Sequence, residues 1–194
     1  MKDGFRRGDG EMDQGATKSG WSVGRYVVAR LEEAGVRHIF GVPGDYSLGF
    51  LDQVVASPIE FVGTCNELNA GYAADAYARM NGLGAVAVTY AVGGFSVLNA
   101  VAGAYAERVP LVVLCGGPSR SDRVSGLQRH HTLGDYGIQL QVFEAVTEAA
   151  VALESAESAP DQIDVVALQF EQAGGRAVAA RKGIHVERTA KPGA

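Results

Sequence analysis

The sequence predicts a three-layer α/β/α domain with a mainly parallel sheet, spanning residues 21–165. Two patterns and a size argument carry that prediction. Short β-branched or apolar runs alternate with longer segments whose apolar residues recur at helical spacing, which is the signature of strand–helix–strand units. The runs Gly84 to Thr89 and Leu111 to Cys115 are apolar almost throughout, as expected of strands covered on both faces. A chain of 194 residues, 47% of them hydrophobic, is long enough to bury one core and short enough to need only one.

The elements follow in order. Residues 1–20 are polar, glycine-rich and without period, and read as a flexible arm. Val23, Tyr26, Val27, Leu31 and Ala34 form a helical stripe, with Ser22 as N-cap and Gly35 where a C-terminal glycine belongs. A strand over 38–42 ends in Pro43-Gly44-Asp45, and Leu48, Leu51, Val54 and Val55 mark a second helix that stops before Pro58. A strand over 59–64, an alanine-rich helix over 66–80, a strand over 84–89, a helix over 96–107 and a strand over 111–115 continue the alternation. Residues 162–172 have helical character, whereas 166–194 as a whole show no clear final strand and read as a divergent surface tail.

Composition removes several function classes. With 17 Lys and Arg against 22 Asp and Glu the formal charge is −5, and no run of five basic residues occurs, so nucleic acid is not an expected partner. Two cysteines, Cys65 and Cys115, in no metal-binding spacing are expected to be reduced and buried. No secretory leader or membrane-length apolar stretch is apparent, so the expected location is the cytoplasm, away from membranes. Gly82-x-Gly84-x-x-Ala87 imitates a dinucleotide fingerprint, but it enters a strand instead of leaving one, so nucleotide binding is not expected there.

In an open parallel sheet, ligands bind beyond the carboxyl ends of the strands. Four unusual clusters fall at such ends: 41–45, 65–67, 90–94 and 116–118. Asp45 is either a carboxylate at the mouth of the sheet or a helix cap, with Pro43 fixing φ and Gly44 permitting an unusual backbone angle. Glu67 opens a helix, where the dipole favours its ionised form and burial favours the neutral acid, a balance suited to proton exchange. The small residues Ala70, Gly71, Ala73 and Ala74 behind it allow close helix packing or close ligand approach. His130 and His131 are adjacent, so serving one site together requires an irregular backbone; otherwise they are a solvated loop pair.

Four segments, HIFGVPGDYSLGFLD (38–52), TCNELNAGYAADAYARMNG (64–82), TYAVGGFSVLNAVAGAYAERVPLVVLCGGP (89–118) and HHTLGD (130–135), occur in order and with natural spacing. Together they resemble the N-terminal, pyrimidine-binding domain of thiamine diphosphate-dependent 2-oxo acid decarboxylases, the pyruvate and indolepyruvate decarboxylase group in particular. The resemblance implies a small 2-oxo acid substrate, thiamine diphosphate and Mg²⁺ as cofactors, and release of an aldehyde and CO₂. It implies that Glu67 hydrogen-bonds the pyrimidine N1′, and that Asp45, His130 and His131 relay protons beside the reacting carbon. It places Pro43, Gly44, Val92 and Gly93 as backbone around the pyrimidine.

Family members carry roughly three such domains, and the last holds the diphosphate through a metal bound in a Gly-Asp-Gly motif followed some 25 residues later by Asn. Gly8-Asp9-Gly10 lies at the wrong end, and the next Asn is Asn66, so no metal ligand is expected from these residues. Activity is therefore expected to need a separate diphosphate-binding domain or subunit, through an interface that otherwise favours self-association. The alternative expectation is a non-catalytic, truncated remnant or interaction module that keeps the fold.

Overall fold

The computed structural model describes residues 21–172 and 183–188. The expected arm over 1–20 and residues 173–182 and 189–194 of the expected tail lie outside these. Helix α1 (Val23–Glu33) is followed by β1 (His38–Gly41), α2 (Leu48–Val55), β2 (Glu60–Gly63), α3 (Glu67–Asn81), β3 (Gly84–Val88), α4 (Val92–Ala106) and β4 (Leu111–Gly116). Then come α5 (Arg120–Val124), α6 (Ile138–Glu144), β5 (Ala149–Leu153), α7 (Ala159–Gln172) and β6 (Gly183–Arg188). The strands form one sheet in the order β2-β1-β3-β4-β6-β5, parallel at every described pairing.

The sheet divides the core in two, because successive residues of a strand face opposite sides. Ala85 and Ala87 of β3 and Val112 and Leu114 of β4 pack with Val27, Leu31, Leu51, Val54 and Ile163 of α1, α2 and α7. Val86 and Val88, with Leu111, Val113 and Cys115, pack instead with Ala70, Ala74, Val97, Val101 and Phe143 of α3, α4 and α6. Every residue of β3 and β4 is buried, which is why these strands read as unbroken apolar runs. The three layers are those the alternation predicts.

Local signals hold at several ends. Ser22 accepts a hydrogen bond from the Arg25 amide, Asn66 from the Asn69 amide, and Gly35 adopts φ 84° after α1. The small residues of α3 serve helix packing: a Cβ at Gly71 would lie 2.6 Å from the Ala100 Cβ of α4.

Five expectations are corrected. Residues 183–188 are no surface extension: β6 pairs with β4 from Leu111↔Gly183 to Gly116↔Arg188 and with β5 on its other side. Helix α4 begins at Val92, four residues earlier than the apolar stripe indicates, so Val92 and Gly93 lie in its first turn. Gly44 is absent from the positive-φ glycines; its Cβ would lie 2.6 Å from the Thr89 Cβ, so close packing is what excludes a side chain there. The N-cap position of α2 is Ser47, not Asp45, and Cys65 is exposed in the loop after β2 while Cys115 is buried.

Candidate functional site

Because the strands are parallel, the turns after β1, β2, β3 and β4 converge on one edge of the sheet. The turn after β1 approaches the interior closely. A Cβ at Gly41 would lie 2.0 Å from the Ala87 carbonyl oxygen, and Gly44 abuts Thr89. Pro43 and Asp45 project outward and are exposed.

Glu67 is the first residue of α3 and is half-buried. Its Oε1 lies 3.3 Å from the position a Cβ of Gly93 would take, and that same position is 2.9 Å from Thr89 Cγ2. Gly44, Thr89, Gly93 and the Glu67 carboxyl thus form one continuous row across the ends of β1, β3 and α3. Among the described residues no hydrogen bond or ion pair engages the Glu67 carboxyl. Thr89 is 7% exposed, and its buried Oγ1 has no hydrogen-bond partner among them either. A buried hydroxyl without a partner loses about 1–3 kcal/mol of stability, so its retention calls for a ligand or a function.

The second group lies on the turn after β1 and on the segment between α5 and α6. His130 Nε2 is 3.5 Å from Asp45 Oδ2, and the His130 and His131 rings meet edge to face with centroids 4.8 Å apart. His131 has φ 64°, the irregular backbone that lets neighbouring imidazoles share one region. Tyr46 stacks on His130 and donates its hydroxyl to the His130 carbonyl oxygen at 3.1 Å. Burial pushes the Tyr46 hydroxyl pKa up, with Asp122 adding to the shift, so this donor stays protonated across the neutral range.

Four further residues take roles that the sequence does not assign. Ala91, at φ 48° and ψ −85°, reverses the chain between β3 and α4 in a conformation that a non-glycine residue adopts only under constraint. The constraint is Gln139 of α6, 1% exposed, whose Oε1 accepts the Ala91 amide at 2.5 Å and packs against Gly94. Thr89 carries the unpartnered hydroxyl, and Tyr90 donates to the Tyr136 carbonyl oxygen at 3.1 Å. A polar residue ending an apolar strand was the available signal for Thr89; Gln139 offered none. Sequence-predicted Glu67, Gly44 and Gly93 are brought together, as are Asp45, His130 and His131; Val92 stands at the α4 N-terminus, exposed.

The row leaves a hydroxyl and a carboxyl without protein partners among the described residues, both able to hydrogen-bond a ligand. Residues 21–139 match the family model described as thiamine pyrophosphate enzyme, N-terminal TPP binding domain. The chain belongs to this family. Among curated proteins it is 49% identical over 146 residues to pyruvate decarboxylase 2 of Oryza sativa subsp. japonica, covering 74% of this chain and 24% of that protein. Pyruvate decarboxylase 2 of Arabidopsis thaliana matches at the same identity and coverage, and pyruvate decarboxylase 4 of that plant at 47% over 151 residues, covering 76% and 25%. The chain spans about a quarter of the length of these relatives. As a thiamine pyrophosphate enzyme N-terminal domain it has no helix, among the described residues, long and apolar enough to cross a membrane.

Proposed function

We propose that this chain is the pyrimidine-binding part of a thiamine diphosphate-dependent decarboxylase that converts a small 2-oxo acid to an aldehyde and CO₂. The observation that carries the reading is the half-buried, unpartnered Glu67 carboxyl beside the unpartnered Thr89 hydroxyl, on the same sheet edge as the Asp45–His130–His131 group. The similarity to pyruvate decarboxylases supports it.

Thiamine diphosphate, when bound, supplies the electron sink that a 2-oxo acid needs to lose CO₂. Glu67 would hydrogen-bond the pyrimidine ring nitrogen through its carboxyl, which has no partner among the described residues. The backbone of Pro43, Gly44, Val92 and Gly93 would border the pyrimidine, with Gly44 and Gly93 packed directly against Thr89. Asp45, His130 and His131 deliver the proton that completes the aldehyde, from exposed positions that exchange readily with water.

The diphosphate and its Mg²⁺ are held by a separate domain or subunit. Exposed Leu48, Val92, Val124, Leu127 and Leu133 surround this edge of the sheet, an apolar rim suited to such a partner or to a second copy of the chain. Two free cysteines fit the reducing cytoplasm.

Titration calorimetry tests the reading. The chain alone should give little or no heat with thiamine diphosphate and Mg²⁺, whereas a mixture with a diphosphate-binding subunit should bind both and release CO₂ from pyruvate or a larger 2-oxo acid. A mixture that binds the cofactor but turns over no 2-oxo acid would leave a non-catalytic module.

A further inference from the structure

Residues 45 and 46 are neighbours in the turn after β1, and both reach the same imidazole. Asp45 Oδ2 lies 3.5 Å from His130 Nε2. The Tyr46 ring lies against the His130 ring at 17° between planes and 4.8 Å between centroids, within the range in which stacked aromatic rings attract. The Tyr46 hydroxyl also donates to the His130 carbonyl oxygen at 3.1 Å, so one side chain grips both the ring and the backbone of that histidine.

Tyr46 is itself firmly seated. A Cβ at Gly116 would lie 2.3 Å from the Tyr46 carbonyl oxygen and 2.7 Å from the Ser47 nitrogen, so the turn rests directly on the end of β4. Ser47 Oγ accepts the Gly44 amide at 3.1 Å and donates to the Gly44 carbonyl at 2.8 Å, closing the turn. The Tyr46 ring meets Tyr90 edge to face at 5.9 Å, and Tyr90 holds the Tyr136 carbonyl. Two touching phenols, one in the turn after β1 and one just after β3, thereby hold the histidine segment at residues 130 and 136.

An exposed imidazole on a loop ordinarily samples several rotamers. We propose that Tyr46 is a positioning residue that fixes the plane of the His130 imidazole against Asp45, giving one of the two adjacent histidines a set direction for proton transfer. Its consequence for turnover rests on the decarboxylase reading; its effect on the His130 ring does not.

Proton NMR of the 194-residue chain tests this. The His130 ring protons should resonate upfield of those of a free histidine, displaced by the Tyr46 ring current. Tyr46→Leu should abolish that displacement, with the Val86 and Val113 methyl resonances reporting an intact core. Tyr46→Phe should keep the displacement yet raise hydrogen exchange at the residue 131 and 132 amides roughly threefold to tenfold, as loss of one hydrogen bond allows. An undisplaced His130 in the wild type, or a displacement surviving Tyr46→Leu, overturns the proposal.

Together with a diphosphate-binding subunit, Tyr46→Leu should lower kcat about tenfold without weakening thiamine diphosphate binding, and Tyr46→Phe should recover most of the loss. Unchanged kcat in Tyr46→Leu overturns the positioning role. If the wild-type assembly itself turns over no 2-oxo acid, the decarboxylase reading fails, while the NMR comparison still decides whether Tyr46 sets His130.

Discussion

Replacing Gly71 by alanine sets two well-understood effects against each other at the crossing of α3 and α4. Alanine in a helix interior is favoured over glycine by about 1 kcal/mol. The added Cβ, however, would stand 2.6 Å from the Ala100 Cβ and 2.7 Å from Val97 Cγ2. Carbon atoms rest at about 3.5–4.0 Å, so the helices must separate by roughly 1 Å. The Ala100 Cβ cannot move aside and Val97, β-branched in a helix, strongly prefers one rotamer, so overpacking of this kind costs about 1–3 kcal/mol. The net expectation is a loss of about 1 kcal/mol.

Gly103 provides the control, since it lies in α4 with nothing within 4 Å of its Cβ position. Gly103→Ala should stabilise by about 1 kcal/mol through propensity alone. Urea unfolding followed by circular dichroism separates the two: with a slope near 2 kcal/mol/M, the midpoints should move about 0.5 M in opposite directions. Adding Ala100→Gly to Gly71→Ala should recover part of the loss, as a coupling between touching residues requires. A midpoint that rises in Gly71→Ala would refute the argument that α3 and α4 are in closest approach there. It would also loosen the placement of Glu67, one helical turn away on α3, against Gly93.

Glu67→Gln, assayed together with a diphosphate-binding subunit under the proposed decarboxylase reading, should lower turnover about 10²-fold or more, and unchanged turnover would remove Glu67 from proton transfer. Gln139→Leu strands the Ala91 amide and should cost about 1–3 kcal/mol in urea unfolding; a loss below the error of the method would mean that Ala91 holds its φ without Gln139. The Tyr26 hydroxyl donates to Asp164 Oδ2 at 2.8 Å, and its pKa is raised, first by burial and then by that carboxylate. A phenol with a higher pKa folded than unfolded contributes stability fully below about pH 10 and loses it as pH rises through the folded value. Tyr26→Phe should therefore flatten the alkaline fall of the melting temperature, and an unaltered slope above pH 10 would contradict the assignment.

The strand–helix alternation from Val23 to Cys115 was legible because each period and cap is local: Ser22, Gly35 and Asn66 act within a turn of where they stand. The sheet edge on which the candidate residues gather was legible too, since parallel strands collect their carboxyl ends wherever the sheet order places them. What could not be read depends on partners distant in the chain. The α4 start is set by Gln139, 48 residues from Ala91, and the Asp45–His130 contact joins residues 85 apart. Gly44 was recognisable as significant, but only the structure reveals Thr89 as the reason. The β6 stretch Gly-Ile-His-Val-Glu-Arg alternates polar and apolar residues, unlike the unbroken apolar runs of β3 and β4, so nothing in it announces an inner strand.

That inner position has a consequence for biogenesis. During synthesis β4, six buried residues of Leu-Val-Val-Leu-Cys-Gly, leaves the ribosome some seventy residues ahead of its neighbour β6, and β5 pairs with β6 alone. Until Gly183–Arg188 arrives, the nascent sheet presents a sticky open margin, the kind of surface that recruits chaperones or nucleates aggregates. The strand that enters between β4 and β5 after both are made is the one that locks the flank.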